Sequence, residues 1–242
     1  MDGSRRRLPV ISEKLDELYE RYKRQLPQNE HFVRCGIVNE EAYQASSPKL
    51  VFVLKEVNYP RPPPGWSMVG FLQGQVKRGL SRQSVHRTWE KIGIWSYAIH
   101  NNFPRYDDIN TVQFAAEGLN CIGMTNLKKS GGGGVANNRV IREHGERMRE
   151  LWKLELGIMN PDIIICCGTF GIVAPLLGLT GSKTATGCYY SSWEHGSGSS
   201  LLVSTCHPAI RAKKDMLYAL LKESLLELQE KGFWRGPGHP TF

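Results

Sequence analysis

The sequence has no long apolar run. Its longest, DIIICCG at 162–168, falls far short of the roughly 20 residues a membrane-spanning helix needs. No apolar stretch follows the opening MDGSRRRLPV, so no secretory leader and no membrane partner are expected. None of the six cysteines, at 35, 121, 166, 167, 188 and 206, forms a C-x-x-C pair. That removes the usual thiolate metal patterns and points to reduced structural thiols, in a bacterial cytoplasm or a nucleus. The glycines at 131–134 lack both the G-K-[ST] of a phosphate loop and the spaced glycines of a dinucleotide fingerprint. No metal or cofactor is therefore expected. There is no internal repeat, and the glycine run is too brief to link two domains.

What is present is a chain of 242 residues, 40% hydrophobic and 22% charged, which fits one globular domain. Lys and Arg number 31 against 23 Asp and Glu, a formal charge of +8. Such an excess favours polyanions, nucleic acid foremost, where it is localised. The candidate clusters are Arg5 to Arg7, then Lys128 with Lys129, then Arg211, Lys213 and Lys214. A solvated basic surface is the plain alternative for each.

Apolar periodicity predicts a helix over 11–26, with Ile11, Leu15, Leu18, Tyr19, Tyr22 and Leu26 on one face. A second covers 84–100, with Val85, Trp89, Ile92 and Trp95 packed. A third runs over 139–158 through Met148, Leu151, Trp152 and Leu156. A fourth spans 210–231 with Met216, Leu217, Leu220, Leu221 and Leu225. Between them lie four short apolar runs that read as buried strands, at 50–55, 120–127, 162–167 and 200–206. TATGCYY at 184–190 reads as a small edge strand, a short helix follows Gly168, and KKSGGGGVANN at 128–138 reads as a mobile loop. Strands alternating with helices predict a three-layer α/β/α fold with a mainly parallel four-stranded sheet. Residues 1–47 form a helical extension packed on this single domain.

In such a sheet, ligands bind beyond the carboxyl ends of the strands. There the sequence places Lys55-Glu56-Val57-Asn58, Thr125-Asn126-Leu127-Lys128, Gly168-Thr169 and His207-Pro208-Ala209. A carboxylate, an amide, an imidazole and several cations thus converge on one edge.

The ordered set VFVLKEVNYP (51–60), IGMTNLKK (122–129), NPDIIICCG (160–168) and LLVSTCHPA (201–209) resembles the motifs of the uracil-DNA glycosylase superfamily. The segment GVANNR at 134–139, followed by a helix, is similar to the family-four arrangement. The resemblance spans about residues 48–225. Lys55, Val57 and Asn58 stand where the family has Gly, a small residue and Pro, and Ala209 stands where it has Ser. The cysteines of the family-four iron–sulfur cluster have no counterparts, which marks a divergent branch.

The resemblance implies hydrolysis of an N-glycosidic bond in DNA, with the damaged base flipped out of the stack, water as nucleophile and a monomeric enzyme. Glu56 would orient or deprotonate the water and offset positive charge on the sugar, with Asn58 as an alternative water-holder. Asn126 would read the pyrimidine edge, one acceptor and two donors matching uracil and mismatching cytosine. His207 would donate to the departing base, and Pro208 would fix the turn into the next helix. Phe71 or Trp66, both placed in the loop after the first motif, would stack on the base, Phe71 being favoured slightly, with Tyr59 as a third option. Lys128, Lys129, Arg139, Arg211, Lys213 and Lys214 are the candidate phosphate contacts, the last three on the first turns of the final helix. A DNA-binding relative that has lost catalysis, and a nucleotide-binding enzyme unrelated to repair, are the competing classes.

Overall fold

The computed structural model describes residues 10–78, 87–196 and 198–237. Helix α1 (Ile11–Gln25) leads to strand β1 (Gly36–Ile37), helix α2 (Glu40–Ala45) and strand β2 (Leu50–Leu54). A two-residue strand, β3 (Val57–Asn58), is followed by α3 (Met68–Lys77), α4 (Arg87–His100), α5 (Tyr106–Ile109) and α6 (Val112–Asn120). Next come β4 (Ile122–Asn126), β5 (Gly131–Gly132), α7 (Asn138–Arg147), α8 (Arg149–Met159), β6 (Ile163–Cys167) and α9 (Phe170–Leu176). The last elements are β7 (Ser182–Lys183), β8 (Tyr189–His195), β9 (Gly198–Thr205) and α10 (Lys214–Glu230).

The four apolar runs are the four parallel strands β4, β2, β6 and β9, adjacent in that order. Each buries both faces, so its side chains alternate between two cores. Leu50, Phe52 and Leu54 of β2 face α3, α4, α6 and α10, together with Ile163, Ile165, Leu201 and Val203. Val51 and Val53 face α1, α8 and α9, together with Ile164 and Leu202. Helices cover both sides, which gives the three layers.

The sheet is nevertheless larger than expected. It is a mixed seven-stranded sheet, not a four-stranded one, because antiparallel strands extend both edges. β1 pairs with β4 on one side, so residues 1–47 contribute a strand as well as helices. β8 and then β7 pair on the other side. The edge strand expected at 184–190 lies at Tyr189–His195 instead, where of its seven residues only Trp193 is buried. The helix expected over 139–158 is two helices meeting at Met148. Met216, assigned to the packed stripe of the last helix, is 49% exposed. Val85, residues 84–86 of the second helix and the Arg5 to Arg7 cluster lie outside the described residues.

Helices α4 and α6 meet at two glycines. A Cβ on Gly118 would overlap the Gly93 carbonyl, and one on Gly93 would overlap the Ala115 carbonyl. A packed interior cannot absorb a methyl against backbone without moving a helix. Gly118→Ala should therefore cost about 1–3 kcal/mol in urea unfolding. Gly157→Ala on α8, where a Cβ meets open space, should be neutral or stabilise by up to about 1 kcal/mol through helix propensity.

Candidate functional site

The strand order sets where a crevice opens. The chain leaves β2 toward β4 on one side and leaves β6 toward β9 on the other, so the connections diverge beyond the carboxyl ends of β2 and β6. Thr169 ties the two strand ends by donating its hydroxyl to the Val53 carbonyl at 3.0 Å. A cleft of about 640 Å³ opens there, within the usual size of small-ligand sites. Glu56, Asn58, Asn126 and His207 all line it. So do Tyr59, Trp66 and Phe71.

Glu56 stands two residues beyond β2, with its side chain 8% exposed. Its Oε2 accepts from Lys128 Nζ at 3.0 Å, and the same ammonium donates to the Gly131 carbonyl at 2.6 Å. Strands β3 and β5 pair in parallel, Val57 with Gly131 and Asn58 with Gly132, which lays the glycine run against Glu56. A Cβ on Gly132 would overlap the Glu56 carboxyl group. Glycine is required at 132 for close approach, which leaves room for the carboxylate.

Asn126 ends β4 in register with Leu54 and is 1% exposed. Its Nδ2 donates to Cys35 Sγ at 3.7 Å, while the thiol donates to the Val33 carbonyl. Burial pushes the Cys35 thiol up, so the sulfur meets the amide as a neutral acceptor. The amide nitrogen thus faces Cys35, which fixes the orientation of the amide; its second N–H and its oxygen are further hydrogen-bonding groups.

His207 follows β9 by two residues, where Gly168, at φ +66°, lets the backbone pass close to the histidine Cβ. The Ala209 N–H donates to His207 Nδ1 at 3.2 Å. An acceptor Nδ1 places the proton of the neutral ring on Nε2, the donor tautomer. The three rings form one aromatic wall. Tyr59 and Trp66 meet edge to face at 5.8 Å, and Trp66 and Phe71 lie 6.3 Å apart. Phe71 stands on α3 rather than in the loop.

The expected phosphate contacts fare differently. Lys129 is 1% exposed and cannot reach a phosphate. Its ammonium donates to Thr125 Oγ1 at 2.5 Å and pairs with Glu155 Oε2 at 2.5 Å. Glu155, 0% exposed, also accepts from the hydroxyls of Tyr19, Tyr22 and Thr125. Desolvation and the Glu155 charge hold both tyrosines well above their ordinary range, so they stay protonated donors. Lys128 is turned to Glu56, Arg139 to Glu143 at 2.9 Å, and Lys214 to Glu90 at 2.7 Å. Arg211 and Lys213 remain exposed on the segment that leaves the cleft at Ala209. They precede the last helix rather than riding on it, since α10 starts at Lys214, well past Pro208. The glycine loop is ordered at its root: Lys129, Ser130 and Gly132 are buried.

Several lining groups escaped the sequence reading. It places Lys55 at the strand end without a role, and Trp89 only in a helix stripe, yet both line the cleft with Val57, Met68 and Thr88. Among the described residues no group of three or more His, Cys, Asp or Glu is placed to hold a metal. No helix among them is long and apolar enough to cross a membrane. No protein-family model matches the chain, and no curated protein is significantly similar to it.

Two outcomes test this geometry. Lys129→Met should cost about 3–5 kcal/mol in urea unfolding by leaving Glu155 buried and uncompensated, and Lys129→Met with Glu155→Leu should recover most of it. In a crystal structure of Gly132→Ala the Glu56 carboxyl should be displaced, with its 3.0 Å contact to Lys128 lost.

Proposed function

We propose that this protein is a monofunctional DNA glycosylase that hydrolyses the N-glycosidic bond of uracil or another deaminated base. Water is the nucleophile, no cofactor takes part, and the enzyme acts as a monomer in a cytoplasmic or nuclear compartment. The observation that carries the reading is the shared cleft, which one carboxylate, two amides, one imidazole and four aromatic side chains line at the strand ends.

Breaking this bond puts positive character on the sugar and negative charge on the base. Glu56 supplies a fixed carboxylate for the first charge, and its Oε1 is the oxygen not engaged by Lys128 among the described residues. Asn58, exposed at the mouth, is the second group able to hold a water. His207, as the Nε2–H tautomer, is the donor for the second charge. Asn126 supplies a rigid amide for the pyrimidine edge, and the Tyr59, Trp66 and Phe71 wall supplies a face for stacking. Arg211 and Lys213 supply phosphate contacts at the rim.

The second reading is a DNA-binding member of weak or absent catalysis. Two features favour it: Lys128 already compensates the Glu56 charge, and Lys55 brings a cation into the cleft.

An oligonucleotide panel carrying uracil, hypoxanthine or xanthine, cleaved by alkali at abasic sites, separates the two. The wild type should generate abasic sites on at least one lesion. Glu56→Gln and His207→Ala should each lower the single-turnover rate by about 10²–10³-fold. Asn126→Ala should lower discrimination against cytosine as well as rate. Salt-dependent binding without abasic sites would favour the second reading, and unchanged excision in all three variants would overturn the site assignment.

A further inference from the structure

Lys55 has no part in the glycosylase chemistry given to Glu56, Asn126 and His207, yet it lines the same cleft. It follows β2 directly, beside Glu56. Other lysines nearby are engaged: Lys128 pairs with Glu56, Lys129 with Glu155 and Lys214 with Glu90, while Lys91, which does not line the cleft, donates to the Ile210 carbonyl at 2.8 Å. Among the described residues no carboxylate lies within 4.0 Å of the Lys55 ammonium. Among the described residues Glu56 is the only carboxylate lining the cleft, and Lys128 holds it. Among the described residues that line the cleft, Lys55 is therefore the cation with no carboxylate partner.

The rest of the wall is largely apolar, with Leu54, Val57, Met68 and Trp89 beside the aromatic rings. A bound base would displace water from that wall and leave the ammonium less solvated. A cation in such a place is stabilised by whatever negative charge a ligand brings or develops.

We propose that Lys55 is a catalytic residue whose ammonium takes up the negative charge developing on the departing base. The inference rests on the glycosylase reading. The C1′–N bond breaks with its electron pair going to the base, and the water oxygen bonds to C1′. One water proton ends on the base, while Lys55 stays protonated throughout as a donor to the base's oxygen. It forms no covalent bond. Its cation does for the leaving group what the Glu56 carboxylate does for the sugar, so the two neighbouring residues serve opposite charges.

The test compares two leaving groups. Single-turnover excision of uracil and of 5-fluorouracil from the same oligonucleotide is measured for the wild type, Lys55→Met and Lys55→Arg, with thermal unfolding as the folding control. Fluorine stabilises the departing anion, so that base needs less help. Lys55→Met should slow uracil release by about 10²–10³-fold and 5-fluorouracil release by about ten-fold less than that. Lys55→Arg should recover part of the uracil rate, and affinity for an uncleavable oligonucleotide should change little. Equal losses on both bases would overturn the proposal in favour of a structural role. A weaker affinity with a shallower salt dependence, at unchanged rate, would overturn it in favour of a phosphate contact. Borohydride trapping of a protein–DNA adduct that Lys55→Met abolishes would overturn it in favour of a nucleophile. A wild type that releases neither base overturns the glycosylase reading itself, whereas an active wild type with equal losses overturns only Lys55.

Discussion

The buried ion pair between Lys129 and Glu155 is the constraint on which the cleft depends. Two charges withdrawn from water are tolerated only when their hydrogen-bonding capacity is met. Here Glu155 accepts from Lys129, Thr125, Tyr19 and Tyr22, and the lysine lies 5.2 Å from the Tyr22 ring centroid. Those partners come from α1, from β4 and from the loop after it, while Glu155 itself is on α8, so the network joins one helical layer to the strand that carries Asn126. It also sets the path of the next residues. With Lys129 turned inward and its carbonyl accepting from the Val33 N–H at 2.8 Å, the preceding side chain is directed elsewhere. Lys128 reaches Glu56, and the following Gly131–Gly132 pair with Val57–Asn58. Adjacent lysines thus do different work: one anchors the loop, the other holds the carboxylate of the cleft.

The parts of this fold visible in the sequence are those with a strong hydrophobic signature. Strands buried on both faces read as continuous apolar runs in β2 and β6, and as shorter apolar stretches within β4 and β9. The edge strands leave almost no such trace. β8 buries only Trp193 among its seven residues, and β1 has two residues. β5 consists of two glycines, which carry no side-chain pattern at all. Pairing there is decided by backbone hydrogen bonds and by the space around Glu56, neither of which periodicity reports.

The same limit explains which site residues were legible. Glu56, Asn126 and His207 follow strand ends, and strand ends can be located from apolar runs alone. Burial of a lysine cannot, because lysine is ordinarily a surface residue. A clue did exist on the other partner. Glu155 falls between Trp152, Leu156 and Met159 on the apolar face of α8, a place a carboxylate occupies only with a cation beside it. Recognising that the partner is Lys129, 26 residues earlier, requires the tertiary fold.

Charge balance in the cleft then becomes a question of which side chains have partners. A basic surplus of +8 suggests a broad polyanion surface, yet Lys128, Arg139 and Lys214 each face a carboxylate, and Lys129 is interior. What distinguishes the cleft is its composition, a carboxylate held by Lys128 and, next to it in sequence, a lysine with no carboxylate partner among the described residues, in a cleft that an imidazole and aromatic rings also line. For a bond that separates charge as it breaks, fixed groups of both signs are more useful than a large excess of one, because each is in place before its counter-charge develops. Arg211 and Lys213, exposed on the segment that follows Ala209, are the two candidate phosphate contacts left without a carboxylate partner among the described residues. Under the proposed reading they would meet the phosphates beside a flipped nucleotide. The composition of the chain reports only the sum of these charges, while the proposed chemistry depends on their pairing.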